Sequence, residues 1–202
     1  MLLSLVAFTG AAVLIVLLPG PDTLVVVRSI LRGGRRQGVL TALGNLCGLT
    51  VWVLGAALGL AAMLEASEVG YAVLRIVGAG YLVFLGVQAW RSRGQVGHPA
   101  EARRSVLGTG FRAGILTNLL NPKVGVFFVT FLPGFVPDGA SVFWTTTMFG
   151  AIFVLLTALY WVLLLGLAGR VTAWMSTPAI RRRLDAATAA VLVGFGLRLA
   201  TE

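Results

Sequence analysis

Two charged residues stand next to prolines inside long apolar runs. Asp22 follows Leu17-Leu18-Pro19-Gly20-Pro21, and Lys123 follows Leu119-Leu120-Asn121-Pro122. A charge at membrane depth costs roughly 2.5 to 3.5 kcal/mol on insertion scales, so an intramembrane ionisable residue is by default a functional one. Lys123 is also the only lysine in the chain. Two chemistries suit such a pair. Asp22 and Lys123 can neutralise each other as a buried ion pair. Alternatively, they can divide a zwitterion between them, with Lys123 on its carboxylate and Asp22 on its ammonium or on a coupled proton. Asn45, Asn118 and Thr117 are the polar residues placed to join them.

The prolines dictate the local backbone. Proline lacks an N–H and clashes with the carbonyl one turn back, and in lipid that carbonyl must find another partner or line a wet cavity. Pro19 and Pro21 around Gly20 should therefore open a helix. Pro21 suits the first position of a new helix, with Gly20 as a tolerable cap. Asn121 before Pro122 is a stronger start signal, since Asn is a preferred N-cap and Pro is favoured directly after it. Helix N-termini attract anions. Asp22 is favourable in such a first turn and Lys123 is not, so something beyond its own helix must retain Lys123.

Pro21 and Pro122 lie 122 − 21 = 101 positions apart, half of the 202-residue chain. Interrupted apolar segments at matching places in two halves point to a transporter binding site. The elements that would carry the breaks read as six membrane spans, near 2–27, 38–63, 69–90, 111–136, 142–168 and 184–200, given about 20 apolar residues per crossing. The first has no basic residue before Arg28 and no small-residue cleavage site, which reads as a retained span.

Arginines fix the expected orientation. Arg28, Arg32, Arg35 and Arg36 occupy the first connection. Arg91, Arg93, Arg103 and Arg104 occupy the third, and Arg170, Arg181, Arg182 and Arg183 the fifth. The second holds Glu65 and Glu68, and the fourth only Asp138. The positive-inside rule puts the odd connections in the cytoplasm and both termini outside. The expected fold class is an all-α integral membrane protein of the inner membrane, with helices 1 and 4 broken at proline. It divides into three-helix repeats at 1–90 and 111–202 with a polar cytoplasmic linker at 91–110. Three spans per half force the repeats into inverted orientation.

Composition agrees with this class and excludes others. Hydrophobic residues make up 58%, charged residues 11%, and the mean hydropathy is +0.94. A soluble domain carries roughly 25% charged residues. The net charge of +9 sits in short arginine clusters between apolar runs, a topology signal and not a nucleic-acid surface. Cys47 is alone, reads as a small buried hydrophobe, and allows no disulfide or thiol pair. His98, the only histidine, lies in a polar loop. No metal-ligand cluster and no nucleophile–base pair is evident, so neither a metal site, a cofactor nor a membrane-embedded enzyme is expected. A channel or structural subunit remains the alternative to a transporter.

Weaker features read mainly as packing. Gly44, Gly48, Gly55 and Gly59 share one helical face, which suits internal packing and a homodimer contact equally. Thr145, Thr146 and Thr147 face inward or bond their own helix. Trp52, Trp90, Trp144, Trp161 and Trp174 fit interfacial anchoring or packing, and Arg75 fits snorkelling. Phe127, Phe128 and Phe131 read as core or lipid contact before a path lining.

Several stretches resemble the LysE/RhtB amino-acid exporters. Pro19-Gly20-Pro21-Asp22 looks like that family's signature at the end of the first span. The 32–38 segment, with Gly44 and Gly48 beyond, is similar to its entry to the second span. The 76–86 segment resembles its third span, and the 111–123 segment its fourth, with Phe127-Phe128 following. The last two spans match only in hydropathy. The resemblance implies a secondary exporter of amino acids or close derivatives, driven by an ion gradient, with protons the expected ion. The residues themselves, independently of the resemblance, point to a substrate site of Asp22, Lys123, Asn121, Asn118, Gly20 and Asn45, around the breaks at Pro19, Pro21 and Pro122. No additional intramembrane acid is present to read a cationic side chain, which favours neutral amino acids.

Overall fold

The computed structural model describes residues 1–91, 108–169 and 177–201, and backbone only at 60–66, 68, 71, 74, 178 and 181. Most of the linker, His98, Trp174 and the arginines at 93, 103, 104 and 170 lie outside the described residues, as do the side chains of Glu65, Glu68 and Arg181. The described residues are helical with short connections.

Helix α1 spans Leu2–Leu17 and stops before Pro19. Leu18 is extended (φ −74°, ψ 110°), the conformation that a following proline enforces. Helix α2 opens at Pro21, and the Gly20 carbonyl accepts the Leu24 N–H at 3.1 Å. It runs to Ala66, with non-helical backbone at Gly33 and Gly34 alone.

The arginine-bearing stretch expected to connect the first two spans is where the chain turns, but it is helical apart from two residues. The arginines ride on helix, and the turn is confined to two glycines. Gly34 has φ +70°, which only glycine adopts without strain. The arms fold back on each other. Thr41 donates to the Ser29 hydroxyl at 2.8 Å, whereas 12 residues of straight helix would separate them by about 18 Å.

Helix α3 is Glu68–Arg91 and α4 is Phe111–Leu119. After an extended Asn121, α5 (Pro122–Val126) continues through a π-turn at Phe127–Phe131 and a 3₁₀ turn at Leu132–Phe135. Helices α6 (Val142–Gly166) and α7 (Pro178–Thr201) complete the described chain. Among the described residues, Pro21–Gly59, Val142–Gly166 and Arg182–Thr201 are long and apolar enough to cross a membrane. A fourth candidate joins α4 to Pro122–Phe135 across a 51° bend. The 16 residues of α1 measure about 24 Å, short of a crossing by themselves.

Two kinds of packing hold these helices. An aromatic core fixes α1 against the π-turn and α6. Phe8 stacks on Phe149 at 4.6 Å, and Phe127 and Phe128 both contact Phe153. Phe127, Phe128 and Phe131 are thus core residues. The second kind is close backbone approach, the expected device where lipid supplies no hydrophobic drive between helices. A Cβ on Gly44 would collide with the Phe111 carbonyl, and one on Gly114 with the Thr41 carbonyl, so α2 and α4 interlock reciprocally. The glycine face of α2 divides, however: Gly55 and Gly59 are exposed with nothing near them. Cys47 is also exposed, contrary to its expected burial. Arg75 is half-buried and its Nε is buried without a hydrogen bond, so it does not simply snorkel.

Candidate functional site

The two interruptions face each other, and each sends its charged side chain across to the other. From the first turn of α2, Asp22 Oδ2 accepts the side-chain amides of Asn118 (3.2 Å) and Asn121 (2.9 Å). From the first turn of α5, the Lys123 ammonium donates to the carbonyls of Ile15 (2.9 Å) and Leu18 (3.0 Å), the loose end of α1.

This exchange explains the placement of Lys123. A cation is unfavourable at the N-terminus of its own helix but favourable at the C-terminus of a neighbour, where carbonyls lack partners. A direct Asp22–Lys123 ion pair, one of the two expected arrangements, is not formed. The expected anion site at the start of α5 is also corrected. Pro122 has no N–H, the Lys123 N–H goes to Asn121 Oδ1 (3.1 Å), and those of Val124 and Gly125 go to the Asn121 carbonyl (3.1 Å each). That helix end keeps its first donors for itself.

All six expected binding residues, Gly20, Asp22, Asn45, Asn118, Asn121 and Lys123, line one partly open cavity of about 50 Å³. Such a space holds a few waters. Admitting a larger guest requires the surrounding helices to part. Pro19, Pro21 and Pro122 flank the cavity in the interruptions that form its wall. Asn121 also lines a second, mostly apolar groove of about 400 Å³, shared with Trp52, Tyr81 and Pro122. Trp52 stands on Gly125 and donates to the Asn118 carbonyl at 3.3 Å, a packing role with one anchoring bond.

Buried polar atoms normally find partners, and several here have none. Asp22 Oδ1, Asn118 Oδ1 and Asn45 Nδ2 are buried and unpaired, and their residues line the cavity. They amount to two acceptors and one donor. Thr117 and Thr146 are buried with unpaired hydroxyls but do not line it. Thr147 bonds its own helix through the Phe143 carbonyl.

Sequence reasoning passed over the fourth wall. Phe153, Thr157, Tyr160 and Trp161 of α6 line the cavity at helical spacing. The Tyr160 and Thr23 hydroxyls are 3.1 Å apart, and the Trp161 indole N–H donates to Asn45 Oδ1 at 3.1 Å. The legible signal was a threonine, a tyrosine and a tryptophan on one face of an otherwise apolar helix. No group of three His, Cys, Asp or Glu side chains suited to a metal occurs among the described residues.

The chain matches the family model described as LysE type translocator over residues 2–202. It is 35% identical to membrane protein PA4757 of Pseudomonas aeruginosa, over 94% of this chain and 91% of that one. It is 30% identical to a threonine efflux protein of Salmonella typhi, covering 95% and 96%. It is 26% identical to a homoserine/homoserine lactone efflux protein of Salmonella typhimurium, covering 96% and 95%. No solved structure matches it.

Proposed function

This chain belongs to the LysE type translocator family, and from that premise we propose that it is a secondary exporter of neutral amino acids or close derivatives across the inner membrane. The observation that carries the reading is the set of unpaired buried atoms in the cavity between the interruptions. Asp22 Oδ1 and Asn118 Oδ1 are acceptors suited to a ligand ammonium. Asn45, whose side chain also approaches the Asp22 carboxylate, adds a donor to the same wall. Lys123 would turn toward the ligand's carboxylate as the cavity opens, releasing the end of α1. Binding would thereby loosen the tie between the two interruptions, the coupling that alternating access needs. Asp22 is the candidate carrier of a coupled proton in antiport.

The proposed architecture is six spans in two inverted repeats, with both termini outside. In that arrangement α1 and the first arm of α2 form one proline-broken span, and α4 with the segment through Phe135 forms its counterpart. The pairing of α3 with α7 supports it. A Cβ on Gly86 would meet the Ala189 carbonyl and Val193, and one on Gly196 would meet the Ala79 carbonyl and Val83. Ala79, Leu82, Val83 and Gly86 thus correspond to Ala189, Leu192, Val193 and Gly196, since 189 − 79 and 196 − 86 are both 110. The contacts run antiparallel and are exchanged by a two-fold operation, as repeats of opposite orientation require.

Counterflow in proteoliposomes tests the function. Vesicles loaded with a mixture of unlabelled amino acids should accumulate one or more labelled neutral amino acids saturably, and a pH gradient should change the rate. Folded protein that exchanges none of the panel would overturn the proposal.

A further inference from the structure

One face of α7 runs along α3 and then outlasts it. Ala189 and Val193 pack on Gly86, and Gly196 packs on Ala79 and Val83. Followed toward the start of α7 at the same helical spacing, that stripe passes Ala186, then Arg182 and Arg183, then Ala179. Opposite it, α3 reaches Trp90 and ends at Arg91. Trp90, Ala179, Arg182, Arg183 and Ala186 line an open cleft of about 450 Å³ there. Two arginines thus stand on a stripe that elsewhere carries Ala, Val and Gly. Among the described residues no acid lines the cleft, and Asp185, the acid nearest in the chain, is not one of its walls.

The cleft lies at headgroup depth. The stretch of α7 apolar enough to cross a membrane is Arg182–Thr201, 20 residues or about 30 Å, so the arginines stand at its edge. Trp90 is half exposed at the same edge, the level where tryptophan collects in membrane proteins. Arg91 adds a third positive charge. Toward the bilayer centre, Phe84 and Val87 are exposed on α3, an apolar surface on which acyl chains can lie. A guanidinium presents a planar fork of donors that matches a phosphate, and basic pockets between membrane helices hold anionic headgroups. We propose that this cleft binds the headgroup of an anionic phospholipid, with Arg182 and Arg183 on its phosphate and Trp90 against its glycerol backbone. A soluble phosphate would use the arginines alone, whereas a lipid also uses Trp90 and the apolar flank below it. In the orientation proposed above this is the cytoplasmic edge, whose leaflet carries anionic lipid. The site is separate from the cavity between the interruptions and does not depend on the transport reading.

The test is a titration of full-length protein in neutral detergent, read by thermal melting and by lipid retained in native mass spectrometry. The probes are phosphatidylglycerol, phosphatidylcholine and inorganic phosphate. Phosphatidylglycerol should raise the melting temperature saturably and stay bound, and the other two should do so far more weakly. Arg182→Gln and Arg183→Gln should each lower the apparent affinity for phosphatidylglycerol about fivefold, and together about 25-fold. Both positions are exposed, so the fold should persist. Trp90→Ala keeps the charges and should also weaken retention, which gives a second reading should the arginine pair not fold. Arg35→Gln with Arg36→Gln, exposed on α2 and not lining the cleft, should leave the affinity unchanged. Equal weakening by the two arginine pairs would reduce the effect to general surface charge and overturn the site. Unchanged affinity in Arg182→Gln/Arg183→Gln or in Trp90→Ala would overturn it too. So would phosphatidylcholine binding as well as phosphatidylglycerol, or inorganic phosphate reproducing the full shift.

Discussion

Asp22→Asn separates a binding role for Asp22 from a merely structural one. Oδ2 already accepts two amide hydrogens, at 3.2 and 2.9 Å, and Oδ1 accepts none. An asparagine at this position can turn its single oxygen to Asn118 and Asn121 and keep both bonds. Its amide nitrogen then stands where Oδ1 stood. A ligand ammonium would lose an ionic acceptor and meet a donor in its place. Hydrogen bonds to charged groups contribute about 1.5 to 3 kcal/mol, which at about 1.4 kcal/mol per decade is roughly 10- to 150-fold in affinity. The expected result is a half-saturation concentration for counterflow raised by that factor, in protein whose thermal melting in detergent stays close to wild type. A folded Asp22→Asn protein with wild-type half-saturation would refute the assignment of Asp22 to the ligand. Failure to fold would refute it as well, because the two retained bonds should be enough for structure.

Three further outcomes follow from named contacts. Lys123→Met removes the donor from the buried carbonyl of Ile15, an unsatisfied acceptor costing about 1 to 3 kcal/mol, and from the half-buried one of Leu18, partly offset by no longer burying the charge; a lowered melting temperature and faster proteolysis near residue 18 are expected, and an unchanged melting curve would refute the capping role. Gly44→Ala should destabilise by about 1 to 3 kcal/mol, since its methyl would collide with the Phe111 backbone, whereas Gly55→Ala, with open space around it, should be neutral; comparison of the two melting curves decides. Gly34→Ala places a side chain at φ +70° and should cost about 1 to 2 kcal/mol in thermal unfolding, while Gly139→Ala at φ +74° should cost a similar amount if strain and not position is the cause.

The helix interruptions were legible in the sequence because their cause is local. A proline has no N–H and restricts the residue before it wherever it stands, so α1 must end before Pro19 and a new helix can begin at Pro21 or Pro122. The N-cap at Asn121 is equally local, formed with the Lys123 N–H two residues on. The gathering of six expected polar residues around one cavity followed from bringing the two interruptions together. The connection expected between 27 and 38 is where the chain folds back, but its confinement to Gly33 and Gly34, with helix continuing through the arginines, was not legible.

Composition, charge clusters and proline spacing determined by themselves that this is an all-helical membrane chain with a charge beside a proline at two places. Tertiary structure decided what those charges and amides do. Lys123 looked like a partner for Asp22 or for a ligand, and instead reaches carbonyls 108 and 105 residues away. Asn45 was a polar residue placed to join that pair, and its amide oxygen also accepts from an indole 116 residues away. Sequence fixes how many donors and acceptors a buried site contains. Which of them are satisfied, and which are left to face a ligand, depends on distances of a few ångströms between segments far apart in the chain, and only the packed helices set those distances.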